Sequence, residues 1–135
     1  MSAVDAFYDT NIVLYLLSSE TAKADTAEAL IADGGHVSVQ VLNEFANVAT
    51  RKIGMTWAGL ADVLGAVREV CQVHPLSIDT HDRARAIAER YGFAFYDALI
   101  IAAALLADCE ILYSEDLQSG QKIEGQLTFR NPFLT

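Results

Sequence analysis

A chain of 135 residues is long enough to bury one continuous core and too short for two, so a single domain over residues 1–135 is expected. With 53% hydrophobic and only 20% charged residues it is not a disordered chain, which would lack the apolar surface needed to offset chain entropy. The 18 Asp and Glu against 9 Lys and Arg leave a formal net charge of −9. Such a surface repels a phosphate backbone unless a cation or a local basic strip intervenes. The charge suits plain solubility, a concentrated cation site, or a basic protein partner.

The longest uncharged apolar run, Ala98 to Ala107, is about half the roughly 20 residues a membrane-spanning helix requires, so no membrane segment is expected. Met1 to Asp5 lack a basic region followed by an apolar stretch, and a cytoplasmic protein without a secretory leader is expected. Cys71 and Cys109 are far apart and form no Cys-x-x-Cys pair, which suits buried, reduced thiols rather than a nucleophile.

In chain order, Ala6-Phe7-Tyr8 reads as a short buried strand, followed by a turn at Asp9-Thr10-Asn11 and a helix through Ile12 to Leu17. A second helix over Thr21 to Asp33 stops at Gly34-Gly35, where a left-handed residue can end it. His36 to Val39 is the next strand. From Gln40, the apolar residues Val41, Leu42, Phe45, Val48 and Ala49 recur at helical spacing until Gly54, and Glu44 lies inside that helix. Thr56 can cap a helix to about Val70, and Val73 to Leu76, interrupted by Pro75, is at best an edge strand. Asp79 or Thr80 opens a helix that stops at Gly92, and an apolar helix starts near Asp97. Ile111 to Tyr113 and Leu127 to Phe129 complete the strands. Strands alternating with helices imply an α/β domain with a mainly parallel central sheet covered on both faces.

In such a sheet, ligands bind beyond the carboxyl ends of the strands. Asp9 follows the first strand and Asp116 lies three residues beyond Tyr113, so parallel strands bring both to one edge. Asp97 sits at a helix N-terminus. Glu44 has Val41 three residues before it and Val48 four after it, which sets its carboxylate along the core-facing stripe. Each acid has an ordinary alternative: Asp9, Asp97 and Asp116 as helix N-caps, Glu44 bent to solvent or paired with Arg51. Taken together, four acids at one place would raise one another's pKa values unless a cation sat among them. The all-oxygen donor set, without His or Cys at ligand spacing, favours Mg²⁺ or Mn²⁺ over Zn²⁺. Such an ion lowers the pKa of a bound water and stabilises a departing oxygen, which is the chemistry of phosphodiester hydrolysis.

Ala6-Phe7-Tyr8-Asp9-Thr10-Asn11, Asn43-Glu44, Phe95-Tyr96-Asp97-Ala98, Ser114-Glu115-Asp116 and Asn131-Pro132-Phe133 fall in an order that resembles PIN domains, in particular the VapC-type toxins. The resemblance spans nearly the whole chain and implies a three-layer PIN-like fold. It also implies Mg²⁺- or Mn²⁺-dependent endoribonuclease activity on RNA, a homodimer, and inhibition by a cognate antitoxin. Carried over by position, Asp9, Glu44, Asp97 and Asp116 would be the metal-binding acids, with Asn11 and Ser114 as supporting polar groups. Glu115 is expected to face solvent. Arg51, Lys52, Arg83, Arg85 and Arg90 are candidates for the RNA backbone. A haloacid-dehalogenase-like phosphatase would have a second Asp where Asn11 stands, and a receiver domain would need a lysine that Lys122 is poorly placed to supply. A PIN-like module that binds protein or RNA without cutting is the alternative from another class.

Overall fold

The computed structural model describes residues 5–134. The N-terminal stretch read above for the absence of a leader lies outside the described residues up to Val4. Six strands form one sheet: β1 (Ala6–Tyr8), β2 (Gly35–Ser38), β3 (Cys71–His74), β4 (Ile111–Tyr113), β5 (Lys122–Ile123) and β6 (Leu127–Arg130), in the spatial order β3-β2-β1-β4-β6-β5. Every pairing is parallel except β5 against β6, as strand–helix alternation predicts. The helices are α1 (Thr10–Leu14), α2 (Thr21–Ala32), α3 (Val39–Val48), α4 (Trp57–Val70), α5 (Ile78–Tyr91) and α6 (Phe95–Leu106).

The strand order reverses after β3. Right-handed crossovers from β1 to β2 to β3 set α1–α4 on one face, and the return from β3 to β4 sets α5 and α6 on the other. Alternate residues record this. Tyr8 points to α2, its hydroxyl 2.7 Å from Leu30 O and 2.6 Å from Gly34 O, whereas Phe129 on the other face meets Phe93 between α5 and α6. The run Ala98 to Leu105 is buried throughout, confirming that the apolar stretch is a core helix. No helix among the described residues is long and apolar enough to cross a membrane.

Several boundaries differ from the sequence reading for local reasons. Thr10 and Asn11 already belong to α1, because the Asp9 carboxylate accepts from Thr10 N and caps the helix at once. The helix expected to run to Leu17 tightens into a 3-10 turn at Tyr15–Leu17. α3 continues as a π-helical segment, Ala49–Ile53, closed by Gly54 at φ 78°. α5 begins after Ser77, which forms a reciprocal capping pair with Thr80, rather than at Asp79 or Thr80. β5 was not anticipated, since two residues carry no readable alternation. β3 is the expected edge strand, shifted to Cys71–His74 so that Pro75 follows it.

At Gly35 the backbone of β2 lies close against β1. At φ 137°, a Cβ there would stand 2.8 Å from both Ala6 O and the Tyr8 ring. Gly35→Ala is therefore expected to destabilise the fold by about 3 kcal/mol, from backbone strain and overpacking together. Urea titration checks this, and an unchanged midpoint would contradict so close a contact.

Candidate metal centre

β1 and β4 run side by side with Tyr8 opposite Tyr113, and Asp9 N extends the ladder by donating to Tyr113 O at 3.0 Å. The residues that follow, Asp9 and Ser114, are thereby delivered together to the carboxyl rim of the sheet. Asp9 is 6% exposed. Its Oδ1 accepts from Thr10 N at 2.7 Å, while Oδ2 accepts from Ser114 Oγ at 2.7 Å and Asn11 Nδ2 at 3.3 Å. Ser114 Oγ in turn accepts from Asp116 N at 3.1 Å and Leu117 N at 3.3 Å, so one hydroxyl folds the loop carrying Asp116. Asn11 Nδ2 also donates to Asp116 Oδ2 at 3.1 Å. The polar groups predicted as supporting, Asn11 and Ser114, thus tie Asp9 to Asp116.

A second arm leads to Glu44. Thr10 Oγ1 donates to Glu44 Oε1 and Gln40 Nε2 to Glu44 Oε2, both at 2.9 Å. Glu44 is half-buried and held by these donors rather than by Arg51, which is exposed about two turns further on. Sequence reasoning did not single out Thr10 and Gln40. Their signals were adjacency to Asp9 and the four-residue spacing from Gln40 to Glu44. Asp97 lies in the exposed first turn of α6 and makes no cap, because Ala94 holds the cap position without a side-chain bond. It still interacts electrostatically with Asp9 and Glu44, and Asp116 with it. Asp116 lies in a bend, not at a helix start. Of the three proposed caps, only Asp9 caps a helix.

Among the described residues, no three Asp, Glu, His or Cys side chains are close enough to form a ready-made ligand cluster. The acids instead share a rim, two fixed by hydrogen bonds within the fold and two exposed. Such a donor set fits a hydrated hard cation, which takes one or two carboxylates and keeps several waters. The electrostatics agree. Burial pushes the Asp9 carboxyl up to about 6, against the donated bonds from Ser114 and Thr10, and Asp97 and Glu44 push it further. Asp97 is likewise raised, by desolvation and then by Glu44 and Asp116.

Glu115 does not face open solvent as expected. Its carboxylate pairs with Lys23 Nζ at 2.6 Å and accepts from Tyr15 OH at 2.5 Å, contacts that hold it below the ordinary range. Its backbone N donates to Asn11 Oδ1 at 3.1 Å, which orients that amide toward Asp9 and Asp116. Phe133 of the C-terminal motif packs edge-on against Tyr15 with centroids 4.8 Å apart, and Lys23 lies over both rings. Cys71 and Cys109 are buried free thiols, pushed up to about 11 and about 12, and neither is a nucleophile.

Residues 6–120 match the family model of the PIN domain, and the chain belongs to that family. The solved structures similar to it share its fold. A toxin–antitoxin complex from Klebsiella pneumoniae superposes with a TM-score of 0.71 at 23% identity, over 95% of this chain and 98% of the other. VapC20 of Mycobacterium tuberculosis, described as a sarcin-ricin-loop-cleaving toxin, gives 0.67 at 23% identity over 82% and 89%. VapBC2 from Rickettsia felis, bound to a fragment of its promoter DNA, gives 0.65 at 18% identity over 93% and 98%. No curated protein sequence matches the chain significantly.

The raised Asp9 carboxyl has a definite thermodynamic sign. Its folded value of about 6 lies above the ordinary 3.8, so the folded state holds the proton more tightly. The stability this contributes is complete below 3.8 and is lost as pH rises through about 6. In chelator, wild type is expected to lose stability relative to Asp9→Asn between pH 4 and 7, by on the order of 3 kcal/mol. Denaturant melts of both proteins across that window check it, and parallel pH profiles would refute it.

Proposed function

We propose that this PIN-domain chain is a Mg²⁺- or Mn²⁺-dependent endoribonuclease, the toxin of a toxin–antitoxin pair, acting in the cytoplasm as a homodimer. The observation that carries the proposal is the pair of hydrogen-bonded arms, Asp9–Ser114–Asn11–Asp116 and Asp9–Thr10–Glu44–Gln40, which bring uncompensated carboxylates to the carboxyl rim of the sheet. The description of structural neighbours as toxin–antitoxin complexes supports the choice of antitoxin partner, and that of VapC20 as a sarcin-ricin-loop-cleaving toxin supports the nuclease reading.

Asp9, Glu44, Asp97 and Asp116 would hold the ion. When bound, the ion supplies Lewis-acid activation of water and charge stabilisation at phosphorus. The chain supplies orientation. Ser114 and Thr10 fix both oxygens of Asp9, Thr10 and Gln40 fix both oxygens of Glu44, and Asn11 holds Asp116. Side chains locked in this way need no reordering when an ion and a phosphate arrive. Asp97, at the positive end of α6, is the acid left free to adjust.

Cleavage of structured RNA in Mn²⁺ is expected to fall roughly 10³-fold or more in the Asp9→Asn and Asp97→Asn variants. Thr10→Val, which removes one donor to Glu44, is expected to lose roughly 10- to 100-fold. A gel-based cleavage assay with and without chelator reads both. Chelator-insensitive cleavage, or full activity in either aspartate variant, would end the metal-dependent nuclease reading.

A further inference from the structure

Asn11 and Tyr15 stand one helical turn apart at the two ends of α1, so one face of that helix carries both. Both reach Glu115. Asn11 Oδ1 accepts from Glu115 N at 3.1 Å, and Tyr15 OH donates to Glu115 Oε1 at 2.5 Å. The other carboxylate oxygen, Oε2, accepts from Lys23 Nζ of α2 at 2.6 Å, and that ammonium also donates to Tyr15 OH at 3.2 Å. Glu115 is thus held at its backbone and at both side-chain oxygens. It stands between Ser114, which anchors Asp9, and Asp116, whose carboxylate accepts from Asn11 Nδ2 at 3.1 Å. The Asn11 amide therefore bridges the loop, its oxygen taking Glu115 and its nitrogen Asp116, and any slip of Glu115 disturbs both ends of the bridge.

The cluster is backed from the far end of the chain. Asn131 Oδ1 accepts from Phe133 N at 2.9 Å in the turn that sets the Phe133 ring edge-on against Tyr15. Lys23 Nζ lies 5.0 Å from the Tyr15 centroid and 5.4 Å from that of Phe133, so the two rings flank the ammonium that holds Glu115. A partly exposed ion pair contributes little to stability. The consequence of this arrangement is geometric: it fixes one loop, and that loop carries the two rim residues on either side of Glu115.

We propose that Lys23 and Tyr15 are positioning residues of the metal site: by pinning the Glu115 carboxylate they set loop 114–116 so that Asn11 presents Asp116 to the cation beside Asp9. This rests on the metal-dependent reading, but neither measurement below requires RNA cleavage. Field and position act with opposite signs here. Removing a positive charge near a cation site tightens binding if charge alone matters, whereas releasing a ligand loosens it. Titration calorimetry with Mn²⁺ is expected to show about 10-fold weaker binding in Lys23→Met, which keeps the alkyl stem beside the rings, and a loss of the same direction in the charge-neutral Tyr15→Phe. Lys23→Arg, which can still pair with the carboxylate, should recover most of the affinity. Glu20→Gln, which removes the more distant acid partner of Lys23 at 3.8 Å, should leave it unchanged. In chelator, hydrogen exchange at the Glu115, Asp116 and Leu117 amides should quicken about 10-fold in Lys23→Met, with little change in melting temperature. Should Lys23→Met melt early, Tyr15→Phe decides by the same criteria. Unchanged or tighter Mn²⁺ binding in the variants, an equal loss in Glu20→Gln, or unaltered exchange at the three amides would overturn the inference. Wild type that binds no Mn²⁺ would sink the metal-dependent reading and this one with it, whereas wild type that binds and variants that bind equally well would sink this one alone.

Discussion

The parallel pairing of β1 with β4 is the constraint on which the site depends. It sets Tyr8 opposite Tyr113 and lets Asp9 N close one more ladder bond, so that a residue near the start of the chain and a serine more than a hundred positions later become hydrogen-bonding neighbours. A carboxylate as buried as Asp9 is costly to desolvate, and charge-assisted bonds from a backbone N–H and a hydroxyl offset part of that cost. The offset is incomplete, as its raised pKa records. Because Ser114 Oγ also accepts from two backbone amides of the next loop, loss of that hydroxyl would release Asp9 and Asp116 together.

Charge is sorted around this rim rather than spread evenly. Glu115 adjoins the site but is neutralised by Lys23, so it adds little repulsion and instead anchors Asn11 through its backbone. Most of the exposed ion pairs contribute little to stability on their own. Arg85 and Arg90 are held in such pairs, by Asp82 and Glu124.

The fold was legible where periodicity or punctuation was strong. Glu44 was identified because Val41 and Val48 bracket it, and the α4 cap because Thr56 precedes a long amphipathic run. α6 was placed two residues late because Ala94 offers no capping side chain and Phe95-Tyr96 reads equally as extended chain. Glu115 was misread because its partners Lys23 and Tyr15 lie about a hundred residues earlier, a contact that no local pattern encodes. The same limit hid Thr10 as a donor to Glu44, 34 residues away, whereas Gln40 carried a readable four-residue spacing to Glu44 that was passed over.

The rim is therefore only half organised by the protein itself. Asp9 and Glu44 each have both oxygens held, so their positions are set by folding. Asp97 has no such bond and Asp116 is exposed, tethered by one amide, and mutual repulsion among the four opposes closer approach. Two fixed and two free carboxylates would hold a cation more weakly than a fully closed cage. A cation held there would offset the repulsion these acids exert on a phosphate, so phosphate binding at the rim would depend on the ion being in place.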